Sequence, residues 1–346
     1  MSAKFMILVL CILTISVKLC SQEVLEVNQI ESGTEFWELY DEVVPIIETD
    51  TNAAIKLYED AFHNTKNNFT KSSIIHQLGT LYSTPKQFDK CLSMCEELVK
   101  SGVSVFFTLR DKTYPSFTKE FENIDRYPSI LEQNNELVKK MNEITKAEYY
   151  IQKPNNFNEN KKYPLFMIFH GGIGSIQNLQ HYWRSAFLNE NYIVVYVQGG
   201  NFICSIKRRF GPEGKTDIKE IFKKIREDYL IDTSKVILAG QSAGGMLSID
   251  LAINNHISAQ GLVLAFPVKP REFGADEIYS SGLKGLRISM ICGENDWALE
   301  RQKEMSVIFD KLDVPNRIVI YPDNGHEFPD DFSSQIVKSV NFIDQK

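Results

Sequence analysis

At 346 residues the chain is long for one small domain and has room for a helical module beside a larger core. Its formal net charge is −7 and it carries no lysine/arginine-rich tract, which makes it a poor partner for nucleic acid. Beyond the N-terminus no segment is apolar enough to suggest a membrane span.

The first 21 residues read as a secretory signal peptide. Lys4 precedes an apolar run over residues 5–17 that is too short to cross a bilayer comfortably, and small residues follow at Cys20 and Ser21. Cleavage after Ser21 exposes Gln22 and makes the protein secreted or periplasmic, with an uncleaved anchor as the alternative. Losing Lys4 and Lys18, two positive charges, takes the net charge from −7 to −9. Four cysteines then remain, Cys91, Cys95, Cys204 and Cys292. Their spacing fits neither a metal site nor a disulfide framework. Asn68-Phe69-Thr70 is a glycosylation acceptor if the host is eukaryotic.

Residues 22–145 show no strand pattern but several amphipathic stretches, at 34–47, 52–64, 72–82 and 85–100, with short connections between them. The last two resemble a tetratricopeptide repeat: Leu78, Gly79 and Tyr82 lie on the first helix, with small Cys91, then Cys95 and Leu98, on one face of the second. The earlier pair is a looser match through Trp37, Tyr40, Val44 and Ala53. Two repeats rarely stand alone, so residues 117–141 are expected to finish a small all-helical module that docks on the C-terminal part of the chain. Such a module either steadies its neighbour and narrows access to a pocket, or offers a concave surface to a protein partner.

From residue 146 the pattern changes to alternating strands and helices. Strands are expected at 147–152, 164–169, 192–197, 236–239, 261–266, 286–292 and 317–321, with helices at 217–229, 246–252 and 299–312 between them. Such alternation argues for a mostly parallel, doubly wound sheet. The polar stretch 153–162 lies just inside this region, after its first strand.

Four strand ends carry chemistry. Residues 164–169 run into His170-Gly171-Gly172, a turn able to present a backbone N–H to an oxyanion. Residues 236–239 run into Gly240-Gln241-Ser242-Ala243-Gly244-Gly245, a serine on a tight strand-to-helix turn with glycine two residues away on both sides. The oxyanion hole is assigned to the N–H groups of Gly172 and Ala243, with Gly171 the alternative to Gly172. Residues 286–292 end in Gly293-Glu294-Asn295-Asp296, where Asp296 is the choice to hold an imidazole and Glu294 the runner-up. The last strand is followed by Asn324-Gly325-His326, which holds the last of only six histidines.

On these residues the chain resembles the α/β-hydrolase superfamily, its esterase-like members above all, over residues 146–346. The order serine, acid, histidine is the one that fold uses. The resemblance implies an α/β-hydrolase fold in which Ser242 attacks a carbonyl carbon, His326 acts as base and then acid, and Asp296 orients it, with neither metal nor organic cofactor required. The stretch 267–285 is too short for a large lid domain, which favours a compact esterase. His181, Trp183 and Trp297 are placed as an apolar or sugar-stacking wall, and Arg208 and Arg209, in a basic loop, as contacts for an acidic group.

The expected function is therefore an exported serine hydrolase acting on small-molecule, sugar or peptide esters. A serine peptidase of the same fold, and a non-catalytic binding protein acting through its helices, are the two alternatives.

Overall fold

The computed structural model describes residues 24–27, 32–107, 118–271, 273 and 280–345. The expected leader, 1–21, lies outside them, as does most of 272–279 in the stretch judged too short for a lid.

A two-residue strand β1 (Leu25–Glu26) comes first, followed by helices α1 (Thr34–Ile47), α2 (Thr51–Asn64), α3 (Asn68–Leu81), α4 (Pro85–Lys100), α5 (Thr118–Phe121) and α6 (Tyr127–Ile144). Local chemistry sets their starts. Asp50 caps α2 by accepting the Ala53 N–H at 3.0 Å, and Thr84 with Gln87 forms a capping box on α4, where Pro85 takes the first turn. Two helices, α5 and α6, begin in the stretch 117–141 expected to finish the module. The chain turns at 122–126 and restarts with Pro128 in the first turn of α6, where its missing N–H costs nothing.

These helices enclose a core of their own, from Phe36 and Tyr58 through Leu78, Cys91 and Cys95 to Ile130. Leu78, Gly79, Tyr82, Cys91, Cys95 and Leu98 are buried, as their helical spacing requires. In the earlier pair Val43 and Ala54 take the fully buried places, one residue before Val44 and one after Ala53.

The second region alternates strand and helix: β2 (Glu148–Gln152), β3 (Tyr163–Phe169), α7 (Ile176–Tyr182), α8 (Ala186–Asn191), β4 (Ile193–Gln198), β5 (Asn201–Cys204), β6 (Lys207–Arg209), α9 (Gly214–Asp228), β7 (Ile231–Gln241), α10 (Ala243–Ile253), β8 (Gly261–Ala265), α11 (Ser280–Leu283), β9 (Arg287–Gly293), α12 (Leu299–Lys311), β10 (Asn316–Tyr321) and α13 (Phe332–Ile343). Eight strands form one sheet in the order β1-β2-β4-β3-β7-β8-β9-β10, parallel throughout except for β2 against β4.

Side chains alternate across the sheet. Leu165, Met167 and Phe169 of β3 join the core beneath α9, α10 and α12, while Phe166 and Ile168 join the one beneath α7, α8 and α13. Helices on both faces make the sheet doubly wound.

Strand pairing and a hairpin are among the connections that tie the helical region to the sheet region. β1 pairs with β2 at the sheet edge, so residues ahead of α1 supply a strand where none was expected. The β5–β6 hairpin leaves the end of β4 and buries Cys204 and Ile206 in the helical core. No helix among the described residues is long and apolar enough to cross a membrane.

Candidate active site

The central strand β7 ends at Gln241, and Ser242 begins the turn into α10 with φ +52° and ψ −119°. A non-glycine residue in that region is strained, and the surroundings hold it there. Its N–H donates to the Ala265 carbonyl at 3.0 Å and its own carbonyl receives Met246 N–H at 3.1 Å. The turn is possible only because its neighbours lack side chains. A Cβ on Gly244 would stand 2.1 Å from the Phe169 carbonyl oxygen, and one on Gly240 would stand 2.5 Å from the Gly244 carbonyl carbon.

Three side chains from three strand ends meet here. Ser242 Oγ lies 2.9 Å from His326 Nε2. His326 Nδ1 lies 2.9 Å from Asp296 Oδ1. Burial pushes the Asp296 carboxyl up, but hydrogen bonds from His326, the Ala298 N–H and Gln302 outweigh it and hold the group below the usual carboxylate range. The bond from Ala298 N–H to Oδ1 is 2.8 Å and that from Gln302 Nε2 to Oδ2 is 2.9 Å. Asp296 thus stays an acceptor that fixes the imidazole with its proton on Nδ1 and its lone pair toward the serine. The rival carboxylate, Glu294, is elsewhere: it is exposed and receives the Asp323 N–H at 3.3 Å. Phe266, itself at φ +36°, sets its ring 4.7 Å from that of His326.

The loop after β3 lies against the serine. Gly171, Gly172 and Ala243 all line the pocket that holds Ser242 and His326. A Cβ on Gly171 would be 3.5 Å from Ser242 Cβ, and one on Gly172 would meet nothing within 4 Å. Ala243 opens α10, where the first N–H groups have no intrahelical acceptor and favour negative charge. His170 anchors the loop from below. It is fully buried, its Nδ1 is 2.7 Å from the Gly171 carbonyl, and its Nε2 receives Gly199 N–H at 3.2 Å. Burial pushes its pKa down to about 4, so the ring is neutral.

The pocket measures about 550 Å³, with Ile173, Phe210, Met246, Leu247 and Trp297 as its apolar wall. Two cations stand in its lining, Arg209 and Lys215. Lys215 is paired with Asp250 at 2.8 Å, while among the described residues no ion pair joins Arg209.

Of the residues expected to contact substrate, Trp297 and Arg209 stand at this pocket, and Trp297 holds its ring 5.1 Å from His326. The other three are drawn away. Trp183 is wholly buried and donates Nε1–H to Gln241 at 3.1 Å. His181, two residues back in the last turn of α7, stacks on Trp37 of α1 with ring centroids 3.8 Å apart. Arg208 donates to the Cys204 carbonyl at 2.9 Å and lies over the Phe202 ring. None of the three is in the described lining of the pocket that holds Ser242. Gln302 was missed by sequence reasoning. Its signal was a polar residue six positions after Asp296 on an otherwise buried helical stripe.

No family model matches the chain. Among curated proteins, it is 29% identical over 155 residues to "Probable dipeptidyl-aminopeptidase B" of Trichophyton verrucosum, covering 37% of this chain and 17% of that protein. It is 28% identical over 160 residues to a bifunctional acetylxylan esterase/xylanase of Neocallimastix patriciarum, covering 45% of this chain and 22% of the relative. The chain spans less than a quarter of either relative's length. An uncharacterized protein from Bacillus cereus aligns structurally over 89% of this chain and 98% of its own, with TM-score 0.49 and 17% identity. The parallel sheet, the strained serine after its central strand and the matched relatives together give the chain an α/β-hydrolase fold and a resemblance to serine hydrolases.

Proposed function

We propose that this protein is a serine hydrolase that cleaves carboxylic esters through an acyl-enzyme. The reading rests on one observation above all: Ser242, His326 and Asp296 stand in hydrogen-bond sequence, at 2.9 Å and 2.9 Å, with Ser242 and His326 lining a pocket and Asp296 buried behind them. In the first step Ser242 Oγ attacks the ester carbonyl carbon, and its proton passes to His326 Nε2. The tetrahedral oxyanion is received by the N–H of Ala243 and that of Gly172 or Gly171. The tetrahedral intermediate collapses with His326 giving its proton to the departing alcohol. Water then repeats the sequence on the acyl-enzyme, with His326 again as base, and frees the acid.

Peptidase chemistry of the aminopeptidase kind is the second reading, since relatives carry that name. A free amine terminus seeks a carboxylate. The described pocket lining instead offers the Arg209 guanidinium, which favours a neutral or acidic ester. Export through the leader, and a protein partner on the helical region, belong to the same proposal. N-terminal sequencing of secreted material, starting at Gln22, tests the first.

The chemistry is tested with a fluorophosphonate probe on purified protein, wild type beside Ser242→Ala and His326→Ala. Labelling and ester turnover in the wild type alone support the triad. A Ser242→Ala protein that still turns over esters ends the proposal.

A further inference from the structure

We infer that the helical region is a working part of the active site, because it holds the loop after β3 in place through the β5–β6 hairpin; the inference rests on the oxyanion role proposed above for that loop. Gly171 and Gly172 have no side chains to wedge them, and the space beside Gly172 is open. Besides the His170 ring beneath it, what holds the loop is backbone pairing. Gly174 donates its N–H to the Arg208 carbonyl at 3.0 Å and receives the Arg208 N–H at 2.7 Å. One residue beyond Arg209, Phe210 stacks on the His170 ring with centroids 4.3 Å apart. The hairpin thus grips the loop on both sides of the two glycines.

A two-stranded hairpin of four and three residues has little stability of its own. Its other end is fixed by the helical region. Asn142 of α6 works as a surrogate strand, accepting the Phe202 N–H at 2.9 Å and donating to the Phe202 carbonyl at 2.8 Å. At the tip, Ser205 Oγ receives the Ser104 N–H at 2.9 Å, and Ser205 N–H donates to the Ser104 carbonyl at 3.2 Å. The segment carrying Ser104 is itself clamped by α6, where Asn134 takes both the N–H and the carbonyl of Val105 at 2.8 and 3.1 Å. Between these polar clamps Cys204 and Ile206 are buried in the helical core.

Asn142 and Ser205 are accordingly positioning residues. They touch no reacting atom, and they set where the oxyanion donors stand. Displacement of such donors by about 1 Å is enough to slow catalysis by roughly 100-fold, so partial release is expected to cost about tenfold in kcat.

The test compares Asn142→Ala/Ser205→Ala with Tyr82→Phe, which removes a helical-region bond (Tyr82 Oη to Glu59, 2.8 Å) that does not touch the hairpin. The readouts are amide exchange at Gly174, and kcat and KM on a neutral p-nitrophenyl ester. The inference expects Gly174 to lose protection and kcat to fall about tenfold with KM little changed in the double variant. Neither changes in Tyr82→Phe, nor in Ser205→Thr made alone, which keeps the hydroxyl that receives Ser104 N–H. A folded double variant with wild-type Gly174 protection, or with the kcat of Tyr82→Phe, overturns it. If the double variant fails to fold, Ser205→Ala alone carries the same readouts. Failure of the hydrolase reading shows separately, as an inactive wild type in which Gly174 exchange still reports on the hairpin.

Discussion

The strands at the centre of the sheet are buried on both faces, whereas α2 and α4 each bury one stripe and leave the other in water; α3, enclosed by its neighbours, is the exception. In the sheet that burial fixes each residue's place, and the chemistry hangs from the strand ends, where backbone must turn. In the helical region the same apolar spacing fixes the helices and leaves their polar faces free for other uses. One of those faces, on α6, became the clamp on the hairpin. Function therefore sits at strand ends in one region and on a helix's polar side in the other.

The sharpest way to break that contrast is at a strand end. Asp296→Asn is expected to lower kcat by about 10⁴ with the fold retained. A loss below tenfold would mean that the strand-end carboxylate does not orient His326. Next in size is Leu78→Ala, which empties a wholly buried site in the helical core and should cost about 3 kcal/mol. Calorimetry with activity read in parallel should show one transition. Helices that melt first while ester turnover persists would separate the two regions and remove the support proposed for the loop.

Acid titration gives the third test. His170 is neutral in the folded protein because burial pushes its pKa down to about 4. Its unfolded form takes a proton below about 6.5. The unfolded state then binds more protons, so this contribution is whole above that pH and is lost as pH falls toward 4, about 3 kcal/mol in all. The acid limb of the thermal midpoint should be shallower in His170→Asn. An identical limb would assign the acid sensitivity to other groups, His181 among them, which burial beside Trp37 also pushes down to about 4. The smallest effect is expected at Arg209→Gln. It should lower kcat/KM about tenfold for an ester with a carboxylate on its acyl chain and leave the neutral ester of equal length unchanged. Equal losses on both would make Arg209 a structural part of the hairpin.

Much of the sheet was legible because strands buried on two faces must be continuous apolar runs, and because Gly240 and Gly244 sit where no Cβ fits. Ser242 and Asp296 were legible for the same reason, each following such a run, whereas His326 follows the half-buried edge strand β10 and was legible from its place after the last apolar run. The hairpin was not. Asn201–Cys204 and Lys207–Arg209 are short, half polar, and held as strands by partners 60 to 101 positions away in sequence. The substrate wall failed differently. His181 and Trp183 are two residues apart, yet one faces α1 and the other the sheet core, since the last turn of α7 ends between them.

The four described cysteines are all free and buried, and they are divided between the regions: Cys91, Cys95 and Cys204 in the helical core, Cys292 in the sheet. Burial raises the pKa of Cys95, Cys204 and Cys292, keeping those thiols protonated and inert toward alkylating reagents until the surrounding structure opens. Each region therefore carries its own unreactive clock. Following adduct formation peptide by peptide in the unmodified protein would time the opening of the helical bundle and of the sheet separately, with no probe introduced into either.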